Sequence, residues 1–190
     1  PVIAPRAASF RSPGAGGPAA GAFVDLHAHS TASDGLVEAA GVVEAAHRAG
    51  LAALALTDHD TVDGVPAARA AGERLGIRIV AGAELSAYLG REEIHLLGLH
   101  LDDVDAMAAA LARFRDDRVA RAERMVEKLV ALGVPVTMDA VQQEAAGGAV
   151  GRPHVARAVV AAGGARDVRE AFDRYLGNGR PANVEKPRLD

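Results

Sequence analysis

The sequence contains no cysteine. That excludes disulfide bonds and thiolate metal sites, and it is in keeping with a reducing, cytoplasmic location. A basic excess is also missing: lysine and arginine number 21 against 25 aspartates and glutamates, a formal net charge of -4. This balance argues against an extended nucleic-acid-coating surface but leaves room for a short oligonucleotide held by its end. No apolar run is long enough to span a bilayer, so no membrane partner is expected. No charged start followed by an apolar stretch marks a secretory signal. Internal repeats are absent, and nothing sets an oligomeric state. The chain begins at Pro1 rather than Met, which hints at trimming from something longer. Residues 1–21, rich in Pro, Gly and Ala, read as a flexible tail.

What is present is a chain of 190 residues, 49% hydrophobic, enough for one ordinary core. Over 22–102 short apolar strands alternate with amphipathic helices. Strands are expected at 22–24 leading into His27, at 51–56, at 77–80 and at 93–101. Helices are expected at 36–49 and 65–75, stopped by Gly50 and Gly76. This is the pattern of an α/β layer or barrel. From 103 onward the pattern is helical: one or two helices over 103–132, then shorter ones at 138–146, 153–162 and 168–176, punctuated by glycines.

Imidazoles and acids recur near strand ends in the α/β half. His27 and His29 are two apart on a strand, so they share a face and can grip one ion together, and Asp34 follows across a turn. Imidazole plus carboxylate oxygen suits zinc, iron or manganese. Asp58-His59-Asp60 follows the strand at 51–56. Glu84 follows the next strand after a short turn at Gly82, and His95 lies inside the strand at 93–101. Each has an ordinary alternative. His59 could cap a helix start with Asp58, Glu84 could be a surface carboxylate, and His95, on one face with Leu97 and Leu99, could be a core histidine. Their recurrence on successive strands favours a shared site, where parallel α/β architectures collect chemistry. His47, mid-helix, and His100, of opposite parity to His95, read as structural. Two or three divalent ions among four neutral imidazoles and two carboxylates would keep a positive excess suited to phosphate. A water of lowered pKa would then supply hydroxide for in-line attack, with no catalytic side chain beyond it.

The stretches Asp25-Leu26-His27-Ala28-His29-Ser30, Ser33-Asp34-Gly35, Thr57-Asp58-His59-Asp60-Thr61 and Gly82-Ala83-Glu84 closely resemble the polymerase and histidinol phosphatase (PHP) family. The resemblance implies a distorted (β/α)7 barrel with a di- or trinuclear centre of Mn, Fe or Zn. It implies His27, His29, Asp34, His59, Glu84 and His95 as ligands, with Glu84 bridging two ions. Gly151-Arg152-Pro153-His154-Val155-Ala156-Arg157, the run Glu170 to Gly177 and Arg180-Pro181-Ala182 look like the all-helical insertion of one PHP branch. That branch includes nucleoside 3',5'-bisphosphate phosphatases and RNase AM-like 5'→3' exoribonucleases. The implied division is barrel at 22–102, helical insertion subdomain at 103–185 and a return toward the barrel at 186–190. The family's further strands carry another His and a closing Asp-x-His. None occurs here, since His154 is the only histidine after residue 100. These residues alone are therefore expected to hold an incomplete ligand set and to be a poor catalyst.

Arg152 and His154 make sense as phosphate-reading groups. An arginine fork matches a phosphate, and a helix starting at Pro153 offers free N–H groups. Arg180 and Lys186 are weaker candidates, and Arg152 could instead pair a nearby acid. The expected activity is metal-dependent hydrolysis of a phosphomonoester of a small nucleotide, or of the 5' end of a short RNA. Two alternatives stand beside it. One is a phosphatase of a non-nucleotide substrate such as histidinol phosphate, against which the Gly-Arg-Pro-His motif argues. The other is a non-catalytic metal-binding module.

Overall fold

The computed structural model describes residues 23–89 and 92–185. The tail expected at 1–21 and the segment 186–190, with Lys186, lie outside them. Among the described residues the α/β part runs β1 (Val24–Ala28), α1 (Ala39–Arg48), β2 (Ala53–Leu56), α2 (Val65–Leu75), β3 (Arg78–Leu89) and β4 (Glu92–Leu99). The helical part follows as α3 (Val104–Ala131), α4 (Met138–Ala145), α5 (Arg152–Ala161) and α6 (Val168–Ala171), which runs on into a π-helical turn at Phe172–Leu176. None of the described helices is long and apolar enough to cross a membrane.

The strands form one sheet in the order β1-β2-β3-β4. The first three run parallel, with Leu54 beside Ile79 and Val24 beside Ala53. β2 is buried at every position, as a wholly apolar parallel strand covered on both faces should be. Val43, Ala46, Ala68 and Ala71 of α1 and α2 pack on Leu54, Leu56 and Ile77. Each fully buried leucine or valine there stabilises the fold by about 1.5–3 kcal/mol.

Two features of β3 and β4 matter for the site. The expected turn at Gly82 does not exist, because β3 continues unbroken for 12 residues. Gly82 is there for close approach: a Cβ would lie 2.8 Å from both the Gly98 carbonyl oxygen and Thr57 Cγ2. β4, whose direction the sequence left open, runs antiparallel to β3, pairing Glu84 with Leu97 and Ser86 with His95. Directly opposed residues share a sheet face, so Glu84, Ser86, His95 and Leu97 stand together. The first helix is also shorter than expected. Leu36 and Val37 lie in the preceding loop, where Thr31 N–H donates to the Val37 carbonyl at 3.0 Å.

α3 is a single 28-residue helix, about 42 Å long at 1.5 Å per residue. Asp103 caps it, accepting from Ala106 N–H at 2.8 Å. Its first half packs Leu111 against Val62, Val65, Ala81 and Ala83 of the α/β part. Its second half packs Ala122, Met125 and Leu129 into the helical core with Val141, Val155, Val159 and Leu176. One rigid element thus belongs to both cores. A second join lies at Gly148-Ala149, where Ala149 N–H donates to the Ala32 carbonyl at 2.8 Å.

Candidate metal centre

His27 lies within β1, and His29 follows the strand's last residue. The loop after it is closed tightly, with Ser33 and Gly35 N–H groups both donating to the Ser30 carbonyl at 3.0 Å. Gly35 is required by space, since a Cβ would come within 2.7 Å of the His29 carbonyl oxygen. Buried Asp58 anchors the same loop, accepting from Ser30 N–H, Ser30 Oγ and Ser33 Oγ, each at 2.7 Å. This closed loop brings Asp34 back to the imidazoles. Its carboxylate oxygens lie 3.5 Å from His29 Nδ1 and 3.7 Å from His59 Nε2.

His59 is delivered by a backbone bridge to β3. Asp60 N–H donates to the Glu84 carbonyl at 3.0 Å and Glu84 N–H to the Asp58 carbonyl at 3.1 Å. Asp60 takes a left-handed φ of 51° to make this possible. Glu84 sits at the centre, almost fully buried. Its Oε2 lies 2.8 Å from His27 Nε2, 2.9 Å from His29 Nε2 and 3.6 Å from His59 Nδ1, and its Oε1 lies 2.8 Å from His95 Nδ1. The four imidazoles form a row with successive ring centroids 5.0, 4.7 and 4.8 Å apart. All six residues singled out in the sequence as ligands are therefore brought to one place. His47 and His100 are not among them, and both are exposed.

This donor set fits divalent ions. Three overlapping triads, His27/His29/Glu84, His29/Asp34/His59 and His59/Glu84/His95, each place their ligand atoms within 4.8 Å of one another. His59 Nδ1 is buried without a hydrogen-bond partner, a costly state for a polar atom unless a ligand completes it. Burial pushes the His59 pKa down to about 4, helped by Arg118 and His29 and opposed by Asp34 and Glu84. Burial works to raise the Glu84 carboxyl, but the His27 hydrogen bond and the crowding of the His59, His95 and His27 imidazoles outweigh it and hold it below its ordinary value. A neutral imidazole and an ionised carboxylate are the states a metal needs.

Beside the cluster lies a cavity of about 190 Å³, with Asp34, His59 and His95 on one side and Arg118, Arg152 and Phe172 among its other lining residues. Arg152 donates to Asn178 Oδ1 at 3.1 Å at the rim. His154 is not brought to the cavity lining. It is buried, and its Nδ1 accepts from Gly151 N–H at 2.9 Å, closing the first turn of α5. Burial and the Arg157 charge push its pKa down. Arg180 is exposed and likewise absent from the lining. The sequence reading passed over Arg118 and gave Asp58 and Asp60 no role in the site beyond a helix cap and a family motif. The signal for Arg118 was present as arginines at 115, 118 and 121, a three-residue spacing that puts them on neighbouring turns of α3. The paired acids flanking His59 were equally visible.

Comparison with known proteins agrees with this geometry. Residues 25–178 match the PHP domain family. The chain is 38% identical over 165 residues to a 3',5'-nucleoside bisphosphate phosphatase of Chromobacterium violaceum, covering 86% of this chain and 58% of that one. It is also 38% identical over 162 residues to a 5'-3' exoribonuclease of Haemophilus influenzae, covering 85% and 59%. A solved structure from Bifidobacterium adolescentis, assigned as a metal-dependent phosphoesterase, superimposes with a TM-score of 0.81 at 31% identity, over 89% of this chain and 60% of that one. The chain thus spans about three-fifths of the length of these relatives.

Proposed function

The chain belongs to the PHP domain family, and on that premise we propose that it holds two or three divalent ions, Mn, Fe or Zn, and serves hydrolysis of a phosphomonoester on a small nucleotide or at the 5' end of a short RNA. The observation that carries this reading is Glu84 surrounded by four imidazoles, with Asp34 alongside and arginines across the cavity. We assign His27, His29, Asp34, His59, Glu84 and His95 as ligands, with Glu84, whose Oε2 faces His27 and His29 and whose Oε1 faces His95, as the bridge. Divalent ions at these residues supply a Lewis acid for phosphate oxygens and a water acidic enough to ionise near neutral pH. The chain's own contribution is placement. Asp58 fixes the loop of His29 and Asp34, the backbone bridge fixes His59 against Glu84, and Arg152 offers a guanidinium to the phosphate at the cavity rim.

The cavity is smaller than the roughly 300–1,000 Å³ typical of sites enclosing a whole drug-sized ligand. It suits a phosphorylated end rather than an enclosed oligonucleotide. The same geometry supports reading 22–102 as part of a distorted (β/α)7 barrel and 103–185 as a helical insertion over its mouth. His154, whose ring closes the turn behind Arg152, would act on substrate by holding that turn.

Steady-state hydrolysis with added manganese tests the reading. The substrates are a nucleoside 3',5'-bisphosphate, a 5'-phosphorylated short RNA and histidinol phosphate. Turnover of either of the first two above the third is the expected result. Preference for histidinol phosphate would move the assignment to a non-nucleotide phosphatase, and manganese binding without turnover of any substrate, even in a protein extended to its relatives' full length, would favour a non-catalytic metal-binding module.

A further inference from the structure

Arg118 belongs to α3, yet its mostly buried guanidinium holds groups from three other segments. Nε, at 2.9 Å, and Nη2 both donate to Asp60 Oδ2. Nη2 also reaches Ser86 Oγ at 3.5 Å, and Nη1 donates to the Val150 carbonyl at 3.4 Å. Each partner has a position of consequence. Asp60 is adjacent to His59 and takes a left-handed backbone that a non-glycine residue keeps only where its surroundings hold it. Ser86 is two residues from Glu84 on the same face of β3, and its N–H and Oγ donate to Asp60 at 2.8 and 2.9 Å. Val150 leads directly into Gly151 and Arg152 at the start of α5.

Resting on the metal-centre reading above, we propose that Arg118 is a positioning residue. Through Asp60 and Ser86 it fixes His59 and Glu84 relative to one another, and through Val150 it sets their distance from the Arg152 turn. Three partners in different directions require a planar fork with donors on separate edges, which an ammonium group cannot reproduce. Removing a hydrogen-bonded support behind a metal ligand typically lowers metal affinity about 10–100-fold. Arg118 also borders the cavity, so direct contact with a substrate phosphate is the competing role.

Manganese titration of the purified protein, followed by binding of inorganic phosphate to the manganese-loaded form, separates the two. The variants are Arg118→Lys, Arg118→Gln, Asp60→Asn and the Arg118→Gln/Asp60→Asn pair. A positioning role predicts that Arg118→Gln and Asp60→Asn each weaken manganese binding about tenfold or more. It further predicts that the pair is no worse than the stronger single change, because both break one linkage. Arg118→Lys should recover only part of the loss. Parental manganese affinity in Arg118→Gln would overturn the proposal, whether phosphate binding fell (direct anion contact) or only the melting temperature did (a purely structural role). Additive losses in the pair would overturn action through Asp60. If Arg118→Gln does not fold, Arg118→Lys decides alone, and parental affinity there refutes the proposal. A parent that binds no manganese refutes the metal-centre reading itself, a distinct result.

Discussion

Burial opposes charge at both Glu84 and His59; at Glu84 its neighbours outweigh burial, whereas at His59 burial prevails over Asp34 and Glu84. Glu84 keeps its carboxylate because imidazoles crowd it, while His59 stays neutral with a pKa of about 4. Unfolded, His59 and His154 would take up a proton near 6.5, above their folded values. The unfolded chain therefore binds protons first on acidification. Their contribution to stability is complete above pH 6.5 and is lost as pH falls below it toward their lowered folded values, about 4 for His59. Thermal melting of the chelated protein should accordingly drop between pH 7.5 and 5, with a smaller drop in His59→Gln. A flat profile would show that these imidazoles are not held neutral. At the cavity rim, Arg152→Ala should leave metal content intact and weaken binding of inorganic phosphate by roughly 10–100-fold, on the order of 1.5–3 kcal/mol for a charge-assisted contact. Unchanged phosphate affinity would mark Arg152 as a structural partner of Asn178.

Among the elements, the joins between the α/β and helical parts decide how the site is assembled. Gly148 touches the Asp34 loop so closely that a Cβ would lie 2.2 Å from the Thr31 carbonyl oxygen. Backbone cannot yield as a flexible side chain would, so Gly148→Ala should push this join apart and strain the Ala149–Ala32 hydrogen bond. Overpacking of this kind costs about 1–3 kcal/mol. A lowered melting temperature with weakened phosphate binding is expected, and parental values for both would show that the join has slack. That the six candidate residues come together was legible in the sequence because they recur near the ends of successive strands and match a family motif, and strand parity alone paired His27 with His29. The antiparallel course of β4 was not. Gly82 looked like a turn residue, and only the packing of Thr57 and Gly98 around it reveals why a glycine stands inside a strand. His154, read from the sequence as a phosphate-reading group, is another case. Its motif signals a helix start, and only the folded turn shows the ring bent back onto Gly151. Arg118 escaped notice because its partners Asp60 and Val150 are 58 and 32 residues away.

In the whole molecule, α3 ties the two cores together, while Asp58, Asp60 and Arg118 tie the ligand-bearing loops to that frame. Glu84 lies where two of the three overlapping triads meet. The proposal that this cluster is a multinuclear metal centre bridged by Glu84 is checked by manganese stoichiometry from elemental analysis, with paramagnetic resonance to detect coupled ions, in the parent and in Glu84→Ala. Two or more manganese ions per parent chain with a coupled signal are expected, consistent with three overlapping ligand groups. At most one ion, uncoupled, is expected in Glu84→Ala. A parent that takes up no manganese, iron or zinc, or a Glu84→Ala protein with parental stoichiometry and coupling, would contradict it.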